Sequence, residues 1–85
     1  MLLNPMKQLQ KEEFQFIKDN RLNVGRTIKE IREKRGFSQD YLANLMDVSR
    51  STISKIENGK FSFSIDYLSK LSYYLNFKFQ LLDKE

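Results

Sequence analysis

The stretch that decides the fold is REKRGFSQDYLANLMDVSRSTISKIENGK, residues 32–60. It contains two short segments with helical periodicity, QDYLANLM and RSTISKIEN, and each follows a serine that can cap a helix N-terminus, Ser38 and Ser49. Between them Asp47 tolerates the left-handed backbone of a tight turn better than most residues do. We therefore predict two short helices, over 39–46 and 50–58, joined by a turn of about three residues.

The second of these helices has two chemically different faces, judged at about 100° per residue. One side is mostly apolar and contains Thr52, Ile53, Ile56 and Glu57. The other side has small hydroxyls and a long cation, and an arginine occupies the free N-terminal turn. Such groups can bond to base edges in the DNA major groove, although a solvated face has the same composition. The residues concerned are Arg50, Ser51, Ser54 and Lys55.

Working outward, both flanks also predict helices. Val24, Ile28 and Ile31 recur at helical spacing before Gly36, which predicts a helix from about residue 25 to 35. Because breakers are sparse, each of Gly25, Gly36 and Gly59 is expected to mark the boundary of an element.

Two further helices are predicted nearer the ends of the chain. Ser64 can cap a helix over residues 65–75, and residues 8–20 form a second candidate with imperfect apolar periodicity. The side chains expected on inner faces are Leu9, Phe14 and Ile17 in the early helix, Tyr41, Leu42, Leu45 and Met46 in helix 39–46, and Ile65, Leu68, Leu71 and Leu75 in the late one.

The tail after Asn76 changes period. In FKFQLL, residues 77–82, Phe77, Phe79 and Leu81 alternate with Lys78, Gln80 and Leu82, which predicts a short β-strand. A lone strand has unpaired backbone groups, and pairing with the same strand of a second subunit would satisfy them. A continued helix or a frayed terminus is the alternative.

Composition excludes several classes of function. The chain has 15 Lys plus Arg and 11 Asp plus Glu, a formal net charge of +4, and neither Cys nor His. A disulfide framework, a thiolate or imidazole metal site and a Ser-His-Asp triad are therefore excluded. We expect no catalytic residue, no metal and no cofactor, and the basic balance suits a polyanion such as nucleic acid. Short apolar runs and the lack of a signal-peptide pattern predict a cytoplasmic protein that does not enter a membrane.

The pattern from Arg32 to Lys60 resembles the lambda-repressor/Cro-like (XRE) family of helix-turn-helix regulators, over about residues 25–75. The resemblance implies an all-α, lambda-repressor-like bundle of four to five helices that carries a helix-turn-helix. The C-terminal strand predicted from the alternating pattern would add a contact across a dimer. The resemblance also implies that Gln39 contacts the DNA backbone and supports the recognition helix, while Arg50, Ser51 and Lys55 face bases. Residues after the recognition helix can meet phosphate, with solvation as the alternative for Lys60. The full predicted DNA-binding set is Gln39, Ser49, Arg50, Ser51, Ser54, Lys55, Asn58, Lys60 and Ser62.

The same resemblance implies structural roles for other residues. An ion pair between Arg32 and Glu57 would join the first helix to the recognition helix, Ala43 would allow close approach of the two motif helices, and Val48 and Ile53 would fill the core below the turn. The chain departs from the family at the turn, where Asp47 replaces a frequent glycine.

We interpret the chain as an N-terminal extension that is partly helical (1–24), a helix-turn-helix domain (25–75) and a strand that serves as a dimerisation tail (76–85). The predicted function is a homodimeric transcriptional regulator, a repressor, on a pseudo-palindromic operator of double-stranded DNA. The alternative rests on the tail, whose architecture is similar to that of HipB-type antitoxins. Such a protein would bind and neutralise a toxin protein and regulate its own operon.

Overall fold

A computed structural model describes residues 5–85, so residues 1–4 of the predicted N-terminal extension lie outside the described part of the chain. The described residues form four α-helices. These are α1 (Pro5–Lys34), α2 (Gln39–Met46), α3 (Arg50–Glu57) and α4 (Ile65–Leu75). The all-α bundle with a helix-turn-helix is therefore confirmed, and the end of α3 falls one residue before the predicted one.

The first helix is one continuous element of 30 residues, so the prediction of two helices separated at Gly25 was wrong. Gly25 is buried where α1 crosses α3, and a Cβ at that position would lie 2.2 Å from the carbonyl oxygen of Ile56. The glycine is needed for the close approach of two backbones and does not end the helix. Its helix-propensity cost of about 1 kcal/mol is small beside the packing of the helix.

The ends of the helices are set by local hydrogen bonds. Gly36, with φ of 75°, ends α1 by donating its N–H to Glu33 at 2.9 Å. Asp47 takes the predicted left-handed conformation after α2, with φ 55° and ψ 49°. The three predicted N-caps are confirmed: the hydroxyls of Ser38, Ser49 and Ser64 accept from the backbone N–H groups of Tyr41, Thr52 and Tyr67 at 3.0, 3.2 and 3.0 Å.

All four helices contribute to one small core. Its buried apolar side chains are Ile28, Leu42, Ala43, Met46, Ile53, Ile56, Leu71 and Leu75. Val24 and Ile31 are half-buried and pack against this core, and Leu45 and Leu68 are also half-buried. Burial of a side chain of this size stabilises the fold by about 1.5–3 kcal/mol.

Five of the side chains expected to face inward are exposed. Leu9, Phe14 and Ile17 are 61%, 60% and 41% exposed, because the N-terminal half of α1 extends beyond the other helices. Ile65 and Tyr41 lie in the first turns of α4 and α2, and they too are exposed, although the ring of Tyr41 packs edge-on against Phe37. Helical periodicity identified an apolar stripe in each case, but an apolar stripe is buried only where another element packs on it.

The C-terminal tail forms no strand in this single chain. Residues 77–85 lack regular secondary structure, which differs from the prediction of a strand over 77–82. Phe77 packs on the core and donates its N–H to Ser72 at 3.2 Å, while Phe79, Leu81 and Leu82 are exposed. A strand requires a backbone partner, which one copy of this tail lacks, so strand pairing across a dimer stays a prediction.

Among the described residues, no helix combines the length and the apolar character needed to cross a bilayer.

Candidate nucleic-acid interface

The second and third helices form a rigid unit with one face of α3 free. Ala43 and Ile53 are fully enclosed where the two helices meet, and the half-buried Val48 closes the turn by donating its N–H to Ala43 at 3.0 Å. These are the structural roles that the family resemblance implied for the three residues. The small side chain of Ala43 permits this close contact.

The two faces of α3 separate as its sequence predicted. Ile53, Ile56 and Glu57 are buried and Thr52 is half-buried. On the opposite side Arg50, Ser51 and Lys55 are exposed and Ser54 is half-buried. The helix therefore presents two long cations among small hydroxyls, a surface that can enter a groove without obstruction by large neighbouring side chains.

A buried ion pair joins α1 to α3. Arg32 donates through Nε to Glu57 Oε2 at 2.6 Å and through Nη2 to Oε1 at 3.0 Å, and the two side chains are only 9% and 3% exposed. A third donor, Nη1, bonds to the carbonyl oxygen of Phe37 at 2.7 Å. The hydrogen bond with Glu57 raises the pKa of Arg32 above its ordinary value, although burial acts in the opposite direction. The predicted pair is confirmed, and its bidentate geometry fixes the axial position of α3.

The ion pair continues toward the surface through Gln39. Its Nε2 donates to Glu57 Oε1 at 3.0 Å, and its Oε1 accepts a long hydrogen bond from Arg50 Nε at 3.4 Å. Asp40 lies 3.9 Å from the same Nε atom. Among residues 5–85 both of these contacts are made by Nε of Arg50, and its two Nη groups form no hydrogen bond or ion pair with protein, so they are available to a ligand. A continuous polar chain thus runs from the core of α1 to Arg50.

Two of the candidate residues shape the ends of α3. The hydroxyl of Ser49 caps the helix and lies 3.0 Å from the hydroxyl of Ser51. Asn58 turns its side-chain amide back onto the helix and donates to the carbonyl oxygen of Ser54 at 2.9 Å. Their present hydrogen bonds are structural, and contact with DNA by either residue stays a prediction.

The loop after α3 rests on α1. Gly59 has φ of 74°, and a Cβ there would lie 2.9 Å from Leu22 Cα. The aromatic ring of Phe61 packs against Phe63 and Tyr67, with ring centroids 5.3 and 4.6 Å apart. Burial raises the pKa of Tyr67. These contacts hold the loop so that the exposed side chains of Lys60 and Ser62 adjoin the C-terminal end of α3.

The helix-turn-helix family profile matches residues 28–82. The chain belongs to the XRE-type helix-turn-helix family. The XRE-type chain is 35% identical over 52 residues to the competence pilus inhibition repressor of Acinetobacter baylyi. The matched region covers 58% of this chain and 47% of that protein. The XRE-type chain therefore spans about half the length of this curated relative.

A solved structure supports the same assignment. The restriction-modification controller protein C.AhdI from Aeromonas hydrophila superimposes with a TM-score of 0.66 and 28% sequence identity, over 71% of this chain and 91% of the controller protein. The XRE family is one of DNA-binding transcriptional regulators.

In this XRE-type protein α2 and α3 bring most of the predicted site residues to one region. Gln39 and Ser54 are half-buried, and the others are exposed: Ser49, Arg50, Ser51, Lys55, Asn58, Lys60 and Ser62. Sequence reasoning missed two neighbours of this region, Asp40 beside Arg50 and Arg21, which shares a groove with Ser62. Among residues 5–85, no group of three or more potential metal-ligating side chains occurs.

Proposed function

We propose that this protein is a sequence-specific transcriptional repressor that binds a pseudo-palindromic operator as a homodimer. The observation that carries the proposal is the exposed face of α3, on which Arg50, Ser51 and Lys55 project from a helix anchored to α1 by the Arg32–Glu57 pair. A recognition helix needs both properties, because base readout requires free donors and a fixed position relative to the groove. The curated relative is itself named as a repressor, which supports this direction of regulation.

The side chains divide into two groups by their chemistry. Arg50 and Lys55 suit the acceptor atoms of guanine in the major groove, and Ser51 and Ser54 can donate to or accept from any base edge. Phosphate oxygens would be met by Gln39 at the N-terminus of α2 and by the loop after α3, through Lys60 and Ser62. Ser49 and Asn58 lie at the two ends of α3, where they can add backbone contacts.

The experiment that tests the proposal is selection of the purified protein on a library of randomised duplexes. A dimer should enrich a pseudo-palindrome whose half-sites lie about one helical turn, ~34 Å, apart. Selection that enriches no sequence would contradict the proposed function, because it would leave only non-specific binding to phosphates.

Replacement of Arg50 by alanine is expected to weaken binding to the selected duplex by about 1–3 kcal/mol, because a bidentate base contact is lost. The same variant should show relaxed preference at one base pair in each half-site. Titrations against the selected duplex and its single-base variants measure both effects. Lys34→Ala is the control, because it removes an exposed cation at the C-terminal end of α1 that is not in the predicted DNA-binding set. This variant should bind the selected duplex with wild-type affinity. Normal affinity and preference in Arg50→Ala would contradict the proposed reading surface.

Support for a homodimer comes from the apolar residues of the tail. Phe79, Leu81 and Leu82 are exposed in the single chain, and the tail lies beside an exposed apolar part of α1, since Lys84 Nζ is 5.9 Å from the ring of Phe16. Large apolar side chains grouped on a surface are typical of an interface. Pairing of two tails as strands would cover these side chains and satisfy backbone groups at once.

Removal of residues 79–85 is expected to convert the dimer to a monomer without loss of the fold. The cut spares Phe77, which packs on the core and is bonded to Ser72. Sedimentation equilibrium measures the mass, and circular dichroism checks the helices. A variant with Lys78→Gln alone keeps the apolar side chains and should stay dimeric. If the shortened chain remains a dimer, the interface lies elsewhere.

The antitoxin function is a second candidate, and the same exposed apolar surface favours it. Large apolar side chains are exposed on α1 (Met6, Leu9, Phe16 and Ile17) and on the tail (Phe79, Leu81 and Leu82). A toxin protein could cover this surface in place of a second copy. Co-purification with a kinase-fold protein separates the candidates, because such a partner favours the antitoxin function, whereas a dimer without any other protein favours the repressor.

A further inference from the structure

The N-terminal half of α1 lies outside the helix-turn-helix profile, which begins at residue 28. None of the side chains from Met6 to Asn20 is buried. At about 1.5 Å per residue, the 20 residues from Pro5 to Val24 measure about 30 Å, comparable to one turn of DNA at ~34 Å. This segment is therefore long enough to contact a considerable length of a DNA backbone.

Charge is segregated around this segment. At about 100° per residue, its four cations lie within a sector of about 80°, and its three carboxylates lie outside that sector. Two of those carboxylates accept bonds from glutamines on a different face, Glu12 from Gln8 at 3.1 Å and Asp19 from Gln15 at 2.9 Å. We call the cations Lys7, Lys11, Lys18 and Arg21 the cationic stripe.

The three lysines of the stripe lie along one surface of α1. Lys7, Lys11 and Lys18 line a single shallow depression along α1 together with Phe14, and the ammonium group of Lys18 lies 5.5 Å from the centre of the Phe14 ring. Lys11, Lys18 and Arg21 form no ion pair with a carboxylate of residues 5–85. The positive charge of these three side chains is thus available to an anionic partner.

The stripe faces the same side as the recognition helix. Gly25 and Arg32 lie in the same sector of α1, and these are the residues that contact Ile56 and Glu57 of α3. The junction is direct, because Gly59 rests on Leu22 and Arg21 shares a groove with Ser62. The cationic stripe is therefore continuous with the surface expected to meet phosphate after α3.

We propose that the cationic stripe is a second DNA-backbone-binding surface, which follows the phosphates that flank each operator half-site. The inference rests on the proposed function for the location of the DNA, and it adds a partner surface that the helix-turn-helix unit lacks. Lysine and arginine spaced along one helix face match a polyanion better than a compact anionic ligand, because the charges are distributed over the length of the helix. Contacts of this kind raise affinity without reading sequence.

The test compares two triple variants with the same change in charge. Lys11→Gln, Lys18→Gln and Arg21→Gln neutralise three cations of the stripe, and Lys34→Gln, Lys70→Gln and Lys78→Gln neutralise exposed cations at the end of α1, on α4 and at the start of the tail. Binding to the selected duplex and to a duplex of unrelated sequence is measured between 50 and 200 mM salt, with circular dichroism as the check on folding. Loss of three phosphate contacts should make the slope of log K against log salt shallower by about 2.7.

The ratio of the binding constant of the wild-type protein to that of the stripe variant should consequently fall by about 40-fold between 50 and 200 mM salt, on both duplexes. The control variant should keep the wild-type slope. An unchanged slope in the stripe variant overturns the inference. If the same variant loses binding to phosphatidylserine vesicles that the wild-type protein binds, the stripe is a membrane-binding surface instead.

The two proposals fail separately. If the wild-type protein selects an operator and the stripe variant keeps its slope, the inference is wrong and the proposed function stands. If the wild-type protein binds DNA without selecting a sequence and the stripe variant shows the shallower slope, the proposed function is wrong and the stripe still binds DNA.

Discussion

Gly25→Ala is expected to lower the free energy of unfolding by about 2–3 kcal/mol, even though alanine is the better helix former by about 1 kcal/mol. The new Cβ would lie 2.2 Å from the carbonyl oxygen of Ile56, and 3.1 Å from that of Glu57. Neither oxygen can rotate away as a flexible side chain would, because both belong to the backbone of α3. The two helices must therefore move apart, which loosens the core around Ile28 and Ile56.

Urea denaturation followed by circular dichroism measures this effect. Thr27→Ala is the matched control, because the residue is exposed, lies two positions further along the same helix and uses its hydroxyl only to bond to Asn23 at 2.9 Å. Its stability should stay within about 0.5 kcal/mol of the wild type. A Gly25→Ala protein more stable than the wild type would show that helix propensity dominates at this site and that the crossing tolerates a methyl group.

Arg32→Met is expected to cost about 3–5 kcal/mol of stability, because it leaves the carboxylate of Glu57 buried without its cation. Gln39 would remain as its side-chain donor, at 3.0 Å, and one neutral donor cannot replace the two charged hydrogen bonds that are lost. Because Gln39 also bonds to Arg50, DNA affinity should decline together with stability. Chemical denaturation and titration of the selected duplex measure the two losses.

A double variant separates the cost of the missing partner from the net value of the pair. Arg32→Met combined with Glu57→Leu removes both charges, so it should recover much of the stability lost in the single variant. If the single and double variants are equally unstable, the hydrogen bond to Phe37 and the packing of the Arg32 side chain account for the loss, and the ion pair does not.

The pKa of Arg32 determines how this contribution depends on pH. Its folded value is raised, so the stability it adds is fully present below the ordinary value of an arginine and is lost only as pH rises through the raised value. Between about pH 6 and 9, the contribution of this guanidinium to stability should therefore be constant.

Much of the candidate site could be predicted from the sequence because its helix caps, its turn and the two faces of α3 depend on residues that are close together in the chain. A capping serine, a turn residue and the two faces of α3 depend on residues at most a few positions apart, and the structure places them as expected at Ser38, Asp47 and Ser49. The Arg32–Glu57 pair is distant in sequence, and it was predicted through the family resemblance. The link from Glu57 through Gln39 to Arg50 was not predicted, because it requires the relative position of three helices.

By itself, the sequence determined where most helices begin and end, since each cap is a hydrogen bond between residues close in the chain. It also determined the family, through the spacing of residues 32–60. Only the tertiary structure decided what each helix faces. In the sequence alone, Gly25 looks the same as a glycine that ends a helix, and Leu9, Phe14 and Ile65 look like core residues. The positions of the neighbouring helices show that neither is the case. A side chain is buried only where another element packs on it, and an element distant in sequence leaves no local pattern from which that packing can be predicted.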